Sequence, residues 1–254
     1  MLNKNAIIQA VHPAIQVEVF EKISSTNTYA QQHVDQTHMT AVVATEQTAG
    51  YGRQGRSFYS PKTGLYLTFV VPFDVVATKT PGIITTLIAL ATQRVLAQAF
   101  QVMTEIKWVN DLYRHDKKVA GILVEQTDQA YVIGMGLNVQ AFDVPVALQD
   151  KITHVFDETI DRNVLVGLLL NAWFETITQT TQLDVSAYKA VSYLLNKTVT
   201  LNYNRTLLTG RVIDFGQQGE LILNVNGDNL TIRSGEVTKV VAIEGKVLKW
   251  RPEN

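Results

Sequence analysis

Three glycines and two arginines within seven positions carry the first chemical signal in the chain. Gly50, Gly52 and Gly55 are interleaved with Arg53 and Arg56 in the stretch 45–56, which follows an apolar, β-branched run at 41–45. Glycine lets main-chain N–H groups come close to a ligand. The planar arginine fork matches carboxylate or phosphate oxygens. A strand-anchored loop of this composition suits an anion, although a surface turn with incidental charges would carry the same residues. It is not a P-loop, which needs Gly-Lys-Ser/Thr, nor a Gly-x-Gly-x-x-Gly fingerprint opening a helix.

Three other polar groupings bear on the same chemistry. Ser24-Ser25-Thr26-Asn27 precedes a predicted helix, where the hydroxyls cap orphan N–H groups or meet a small polar ligand. Lys107-Trp108-Val109-Asn110-Asp111 closes a predicted strand and reads either as a polar turn or as part of a charged-substrate site. Lys118 opens the strand 118–125, and the strand 131–139 carries Gly134 and Gly136 at one parity. With Gly121 they leave a sheet face bare, which usually means a close ligand or backbone neighbour.

Alternation and apolar runs predict strands at 15–23, 41–45 and 65–71, the last ended by Pro72. Pro81 opens a long helix to about 100, with apolar residues at helical spacing. A second helix begins at Asp161-Arg162-Asn163, and a shorter one covers about 185–195. After Asn196 the period becomes two, with short strands at 199–201, 207–213, 221–225 and 230–232 and an Asn226-Gly227 hairpin signal. A boundary near 194–197 separates residues 1–195 from a small β-barrel-like domain, 196–254.

With 254 residues, 46% of them hydrophobic, the chain can bury a sizeable core. Its net charge of -1 offers no global basic field for nucleic acid. No cysteine is present, which excludes disulfides, thiolate metal sites and cysteine nucleophiles. The five histidines lack metal-ligand spacing, so no protein metal site is expected. Residues 1–11 lack a signal-peptide pattern and no apolar run predicts a membrane span, so a cytoplasmic protein is expected.

Five segments, in order and sensibly spaced, resemble the biotin–protein ligases (biotin–[acetyl-CoA-carboxylase] ligases). The family's Gly-Arg-Gly-Arg-x-Gly-Arg loop stands here as Gly50 to Arg56, with Tyr51 in place of an arginine. Ser25-Thr26-Asn27 matches its Ser-Thr-Asn. Lys107 to Asp111 matches Lys-Trp-Pro-Asn-Asp, with Val109 for the proline. Lys118 to Glu125 matches Lys-x-Ala-Gly-Ile-Leu-x-Glu, and Gly134 to Asn138 matches Gly-x-Gly-x-Asn. Some 17 residues precede the first matched strand, so the resemblance is to the form without the DNA-binding repressor domain.

The resemblance implies an α+β fold: a class II synthetase-like mixed β-sheet with packed helices, then an SH3-like β-barrel domain. It implies activation of biotin by ATP and Mg²⁺ to biotinyl-5′-AMP. Transfer follows to a lysine of a biotin carboxyl carrier domain of acetyl-CoA or pyruvate carboxylase. Lys118, Arg53 and Asp111 would be catalytic, Asp111 taking a hydrogen bond or proton from the acceptor lysine. Ser25, Thr26, Asn27, Gln47, Gly50, Tyr51, Gly52, Arg56, Lys107, Trp108, Asn110, Gly121, Gly136 and Asn138 would bind biotin or nucleotide. Tyr51 removes one loop charge and implies weaker ligand ordering; Val109 implies a looser turn. A homodimer through the edge of the central sheet is a further expectation. The alternatives are a lipoate–protein ligase, or a non-catalytic sensor of the adenylate.

Overall fold

The computed structural model describes residues 1–78, 80–203, 206–233, 235–241 and 247–248. Its elements are α1 (Lys4–Ala10), β1 (Gln16–Ile23), α2 (Thr26–His33), β2 (Thr40–Gln47), β3 (Leu65–Pro72), α3 (Pro81–Phe100), β4 (Glu105–Lys107), β5 (Asp111–Arg114), β6 (Lys117–Gln126) and β7 (Ala130–Leu137). Then come α4 (Arg162–Gln179), α5 (Val185–Ala190) and β8 (Thr198–Tyr203), β9 (Thr206–Phe215), β10 (Leu221–Val225), β11 (Asp228–Ile232), β12 (Glu236–Val241) and β13 (Val247–Leu248).

The first seven strands form one sheet in the order β1-β2-β3-β7-β6-β5-β4, in which only the β1–β2 pair is parallel. Side chains alternate across a strand, so each strand serves two faces. On β3 and β7, Leu65, Leu67, Phe69, Ile133, Met135 and Leu137 join the main core with α3 and α4. Val70 and Val132 point the other way and pack with Ala30 of α2. Every residue of β3 is buried, which explains its continuous apolar run. That second face, only partly covered by α2, is where the glycines of β6 and β7 lie.

The second sheet is antiparallel, in the order β11-β10-β9-β8-β12-β13, and the architecture is the expected α+β mixed sheet plus small C-terminal β domain. Asn226 and Gly227 both take positive φ (53° and 104°) between the paired Val225 and Asp228, as the hairpin signal requires. The buried indole of Trp108 ties the two sheets by donating to the Gly219 carbonyl at 2.8 Å.

Several local expectations change. The strand expected to end near 105–113 is a hairpin, β4–β5, in which Lys107 pairs with Asp111 and Val109 packs against the core. The short helix stops at Ala190, because Tyr193 then donates to Ile106 and the chain joins β4 as a bridge at Ser192. Helix α1 was not anticipated; Asn3 caps it and Ile7 is its one buried residue. Nor was β12, which pairs with β8. Helix α3, from Gly82 to Phe100, is long and apolar enough to cross a membrane by composition; here it packs against α4 and is mostly buried.

Candidate functional site

The face left open beside α2 forms a cavity of about 520 Å³. Its walls come from the N-terminus of α2, the end of β2, the glycine–arginine loop, the β4–β5 hairpin, β6, β7, residues 148–152 and the start of β12. Every binding or catalytic candidate read from the sequence lines it except Gly50. Gly50 is buried behind the wall, where its carbonyl accepts from Phe58 N.

One end is closed by hydroxyl and amide side chains, three of which donate to the Glu125 carboxylate. Ser25 caps α2, its side chain accepting from Thr28 N at 3.3 Å, which is the capping role its position suggested. Gln47 Oε1 accepts from both Thr26 N (2.8 Å) and Thr26 Oγ1 (3.1 Å), while Gln47 Nε2 donates to Ser60 Oγ. Asn27 accepts from Thr68 and donates to Glu125 Oε2 at 2.8 Å. The same Glu125 oxygen also accepts from Gln31 Nε2 (3.0 Å) and Tyr51 Oη (2.8 Å). Burial, then the Glu125 carboxylate, push the Tyr51 phenol up to about 12, so it stays a neutral donor. Tyr51 thus fastens the loop to β6 through Glu125, the group that Asn27 and Gln31 of α2 also reach.

The other end is charged. Lys118 Nζ lies 2.8 Å from Asp111 Oδ1, the two brought together by the β5–β6 pairing and the absence of a side chain at Gly121. A Cβ on Gly121 would stand 2.8 Å from that ammonium and 3.4 Å from the carboxylate. Lys118 also stacks over the Phe58 ring, 5.6 Å from its centroid. Lys107 is buried and donates to Tyr113 Oη. Burial, the dominant effect, pushes its ammonium down; Asp111, the largest of the three charge effects, holds it up, Lys118 lowers it and Glu236 raises it. Arg53 Nη1 donates to the Gly235 carbonyl at 3.1 Å, and Arg56 is ion-paired with Glu236. Asn110 braces the hairpin through Ile122 O, and Asn138 donates to Thr153 O while its buried Oδ1 has no protein donor.

Two readings of the glycines need correction. The face at Gly134 and Gly136 is not bare: a Cβ there would meet Asn27 Oδ1 at 2.1 Å and the Phe58 ring at 2.3 Å. These glycines admit protein side chains that form the wall. In the loop, the main-chain N–H groups of both Gly52 and Gly55 are used internally, Gly52 N donating to Arg56 O and Gly55 N to Gly52 O.

Sequence reasoning missed Phe58, Glu125, Lys151, Gly235 and Glu236. Glu125 closes a motif that was noticed, and its acidity inside an apolar strand was an available signal. Glu236 lies 180 residues from Arg56, and no local pattern joins them.

Comparison with known proteins agrees with this geometry. The family model described as "Biotin/lipoate A/B protein ligase family" matches residues 19–138. The bifunctional ligase/repressor BirA of Bacillus spizizenii is 35% identical over 142 residues, 52% of this chain and 43% of that protein. The chain thus spans under half the length of that relative. The bifunctional ligase/repressor BirA of Salmonella typhimurium is 30% identical over 236 residues, covering 87% of this chain and 73% of that one. The biotin protein ligase of Aquifex aeolicus, solved in complex with biotin and ATP, shares the fold with a TM-score of 0.77 at 23% identity, over 87% of this chain and 97% of its own. With a relative 30% identical of which this chain covers 73%, the chain belongs to the biotin/lipoate A/B protein ligase family.

Proposed function

We propose that the protein is a biotin–protein ligase that activates biotin with ATP and transfers it to a lysine of a carrier domain. One observation carries this reading: a single cavity is lined by the hydroxyls and amides of Ser25, Thr26, Asn27 and Gln47 as well as by several lysine and arginine side chains. Biotin fits that lining, with a ureido ring that both donates and accepts and a carboxylate at the far end of an apolar chain. Ser25, Thr26, Asn27 and Gln47 meet the ring; Lys118 and Arg53 meet the carboxylate and the α-phosphate.

In the first step a biotin carboxylate oxygen bonds to the α-phosphorus and the bond to the bridging oxygen breaks, releasing pyrophosphate. Two anions must meet, so fixed cations lower the barrier. In the second step the acceptor amine attacks the acyl carbon and AMP leaves. The amine must first lose the proton it holds below ~10.4. Asp111 takes it, freed when Lys118 turns from the carboxylate towards the bound anions.

Mg²⁺ would supply further neutralisation of the phosphates. Among the described residues no group of three or more His, Asp or Glu side chains could hold an ion, so it would come bound to the nucleotide. The acceptor is the carrier domain of a biotin-dependent carboxylase. The same proposal includes a cytoplasmic location, the division at 195/196, a homodimer through the edge of the central sheet and no nucleic-acid partner.

The test is incubation with a purified carboxylase carrier domain, biotin, ATP and Mg²⁺, read by mass spectrometry. One biotinyl group on one lysine is expected. Preference for lipoate would make it a lipoate ligase; adenylate with an unmodified carrier would make it a sensor.

A further inference from the structure

Five cationic side chains line the cavity (Arg53, Arg56, Lys107, Lys118 and Lys151) against two anionic ones, Asp111 and Glu236, on a chain whose net charge is -1. A carboxylic acid with a neutral head needs one or two of them. The rest imply a ligand with several negative charges. Four are already engaged: Arg53 by Gly235, Arg56 by Glu236, Lys118 by Asp111 and Lys107 by Tyr113. The Lys151 ammonium has no hydrogen-bond or ion-pair partner among the described residues.

Its backbone is held firmly. Lys118 N donates to Lys151 O at 2.9 Å, Lys151 N donates to Leu148 O at 2.9 Å, and Ile152 bridges to Lys118 in parallel register. Lys117 Nζ clamps the same turn through Gln149 O at 2.7 Å. Lys151, a half-buried residue of the cavity wall, is thus anchored beside Lys118 through its backbone, and its ammonium can meet an anion without first breaking a contact. A phosphate oxygen there gains a charge-assisted bond with no exchange cost.

We infer that Lys151 binds the β- and γ-phosphates of the nucleotide and holds the departing pyrophosphate. This rests on the adenylation reading, yet its test does not need turnover. The probe is inorganic pyrophosphate, titrated by calorimetry into the wild-type protein and Lys151→Gln, Lys151→Glu and Lys151→Arg. Affinity should fall about five- to tenfold in Lys151→Gln, further in Lys151→Glu, and return most of the way in Lys151→Arg. In turnover the KM for ATP should rise in the same order, with the KM for biotin changed less than about twofold. Pyrophosphate affinity unchanged in Lys151→Glu, or biotin affinity falling in parallel with it, would overturn the assignment. A wild-type protein that binds pyrophosphate through Lys151 but not biotin would support Lys151 and refute the ligase reading instead.

Discussion

The two ends of the cavity are built by different means. At the hydroxyl and amide end, Glu125, Asn27, Gln31, Tyr51, Thr26 and Gln47 satisfy one another through hydrogen bonds drawn from four elements. At the charged end the central contact is the Lys118–Asp111 ion pair, whose side chains are 26% and 21% exposed. This network is only part-buried, but its donors and acceptors are matched, so removing one member leaves several others without a partner. A partly exposed ion pair is held weakly and exchanges readily for another anion. On the proposed function, one end is preset for shape and the other for chemistry, so stability should reside mostly in the first and rate in the second.

The contrast can be broken from either side, and the largest effect should come from the charged end. Lys118→Ala should cut adenylate synthesis roughly 10²–10³-fold, measured as pyrophosphate release, while the melting temperature stays nearly constant. Asp111→Asn should slow transfer to the carrier about 10²-fold and adenylate synthesis much less; equal slowing of both would reject its role as base.

At the hydroxyl and amide end the balance reverses. Glu125→Ala strands three donors and should lower unfolding free energy in urea by about 2–3 kcal/mol, with weakened biotin binding. A wild-type urea midpoint would show the network to be incidental.

Gly121→Ala sharpens the comparison. The new methyl meets the mobile tip of Lys118, so the fold should tolerate it while the Lys118–Asp111 pair opens, with adenylation falling about tenfold.

The smallest effect concerns pH. Because the Tyr51 phenol is raised in the fold, from 10.0 to about 12, the folded state holds its proton where the unfolded state loses it. Its contribution is complete below pH 10 and declines as pH rises towards about 12. Tyr51→Phe should make the fall in stability between pH 10 and 12 shallower, as read by urea unfolding at each pH.

Much of the site was legible because its residues are clustered in sequence. Ser25-Thr26-Asn27, Gly50 to Arg56, and Lys107 to Asp111 each sit at a strand end or turn, where a polar run is conspicuous against apolar neighbours. The strands and α3 were legible through period and punctuation. What was hidden depends on pairing across distance. The glycines of β7 suggested open space because the sequence does not record that Asn27 and Phe58 fill it. Helix α1 was hidden because it offers one buried residue to a distant helix and little amphipathic pattern of its own.

The chain's order of residues, by itself, determined the kind of chemistry: guanidinium forks on a loop, a lysine and an aspartate near strand ends, amide and hydroxyl groups at a helix start. These are properties of residue types and short spacings. Only the tertiary structure decided who neutralises whom. It set Asp111 on Lys118, Glu236 on Arg56 and three donors on Glu125, and it left Lys151 without a partner among the described residues. Electrostatic and hydrogen-bond energies depend on separations of a few ångströms, and those separations are set by strand register and sheet contact, not by distance along the chain.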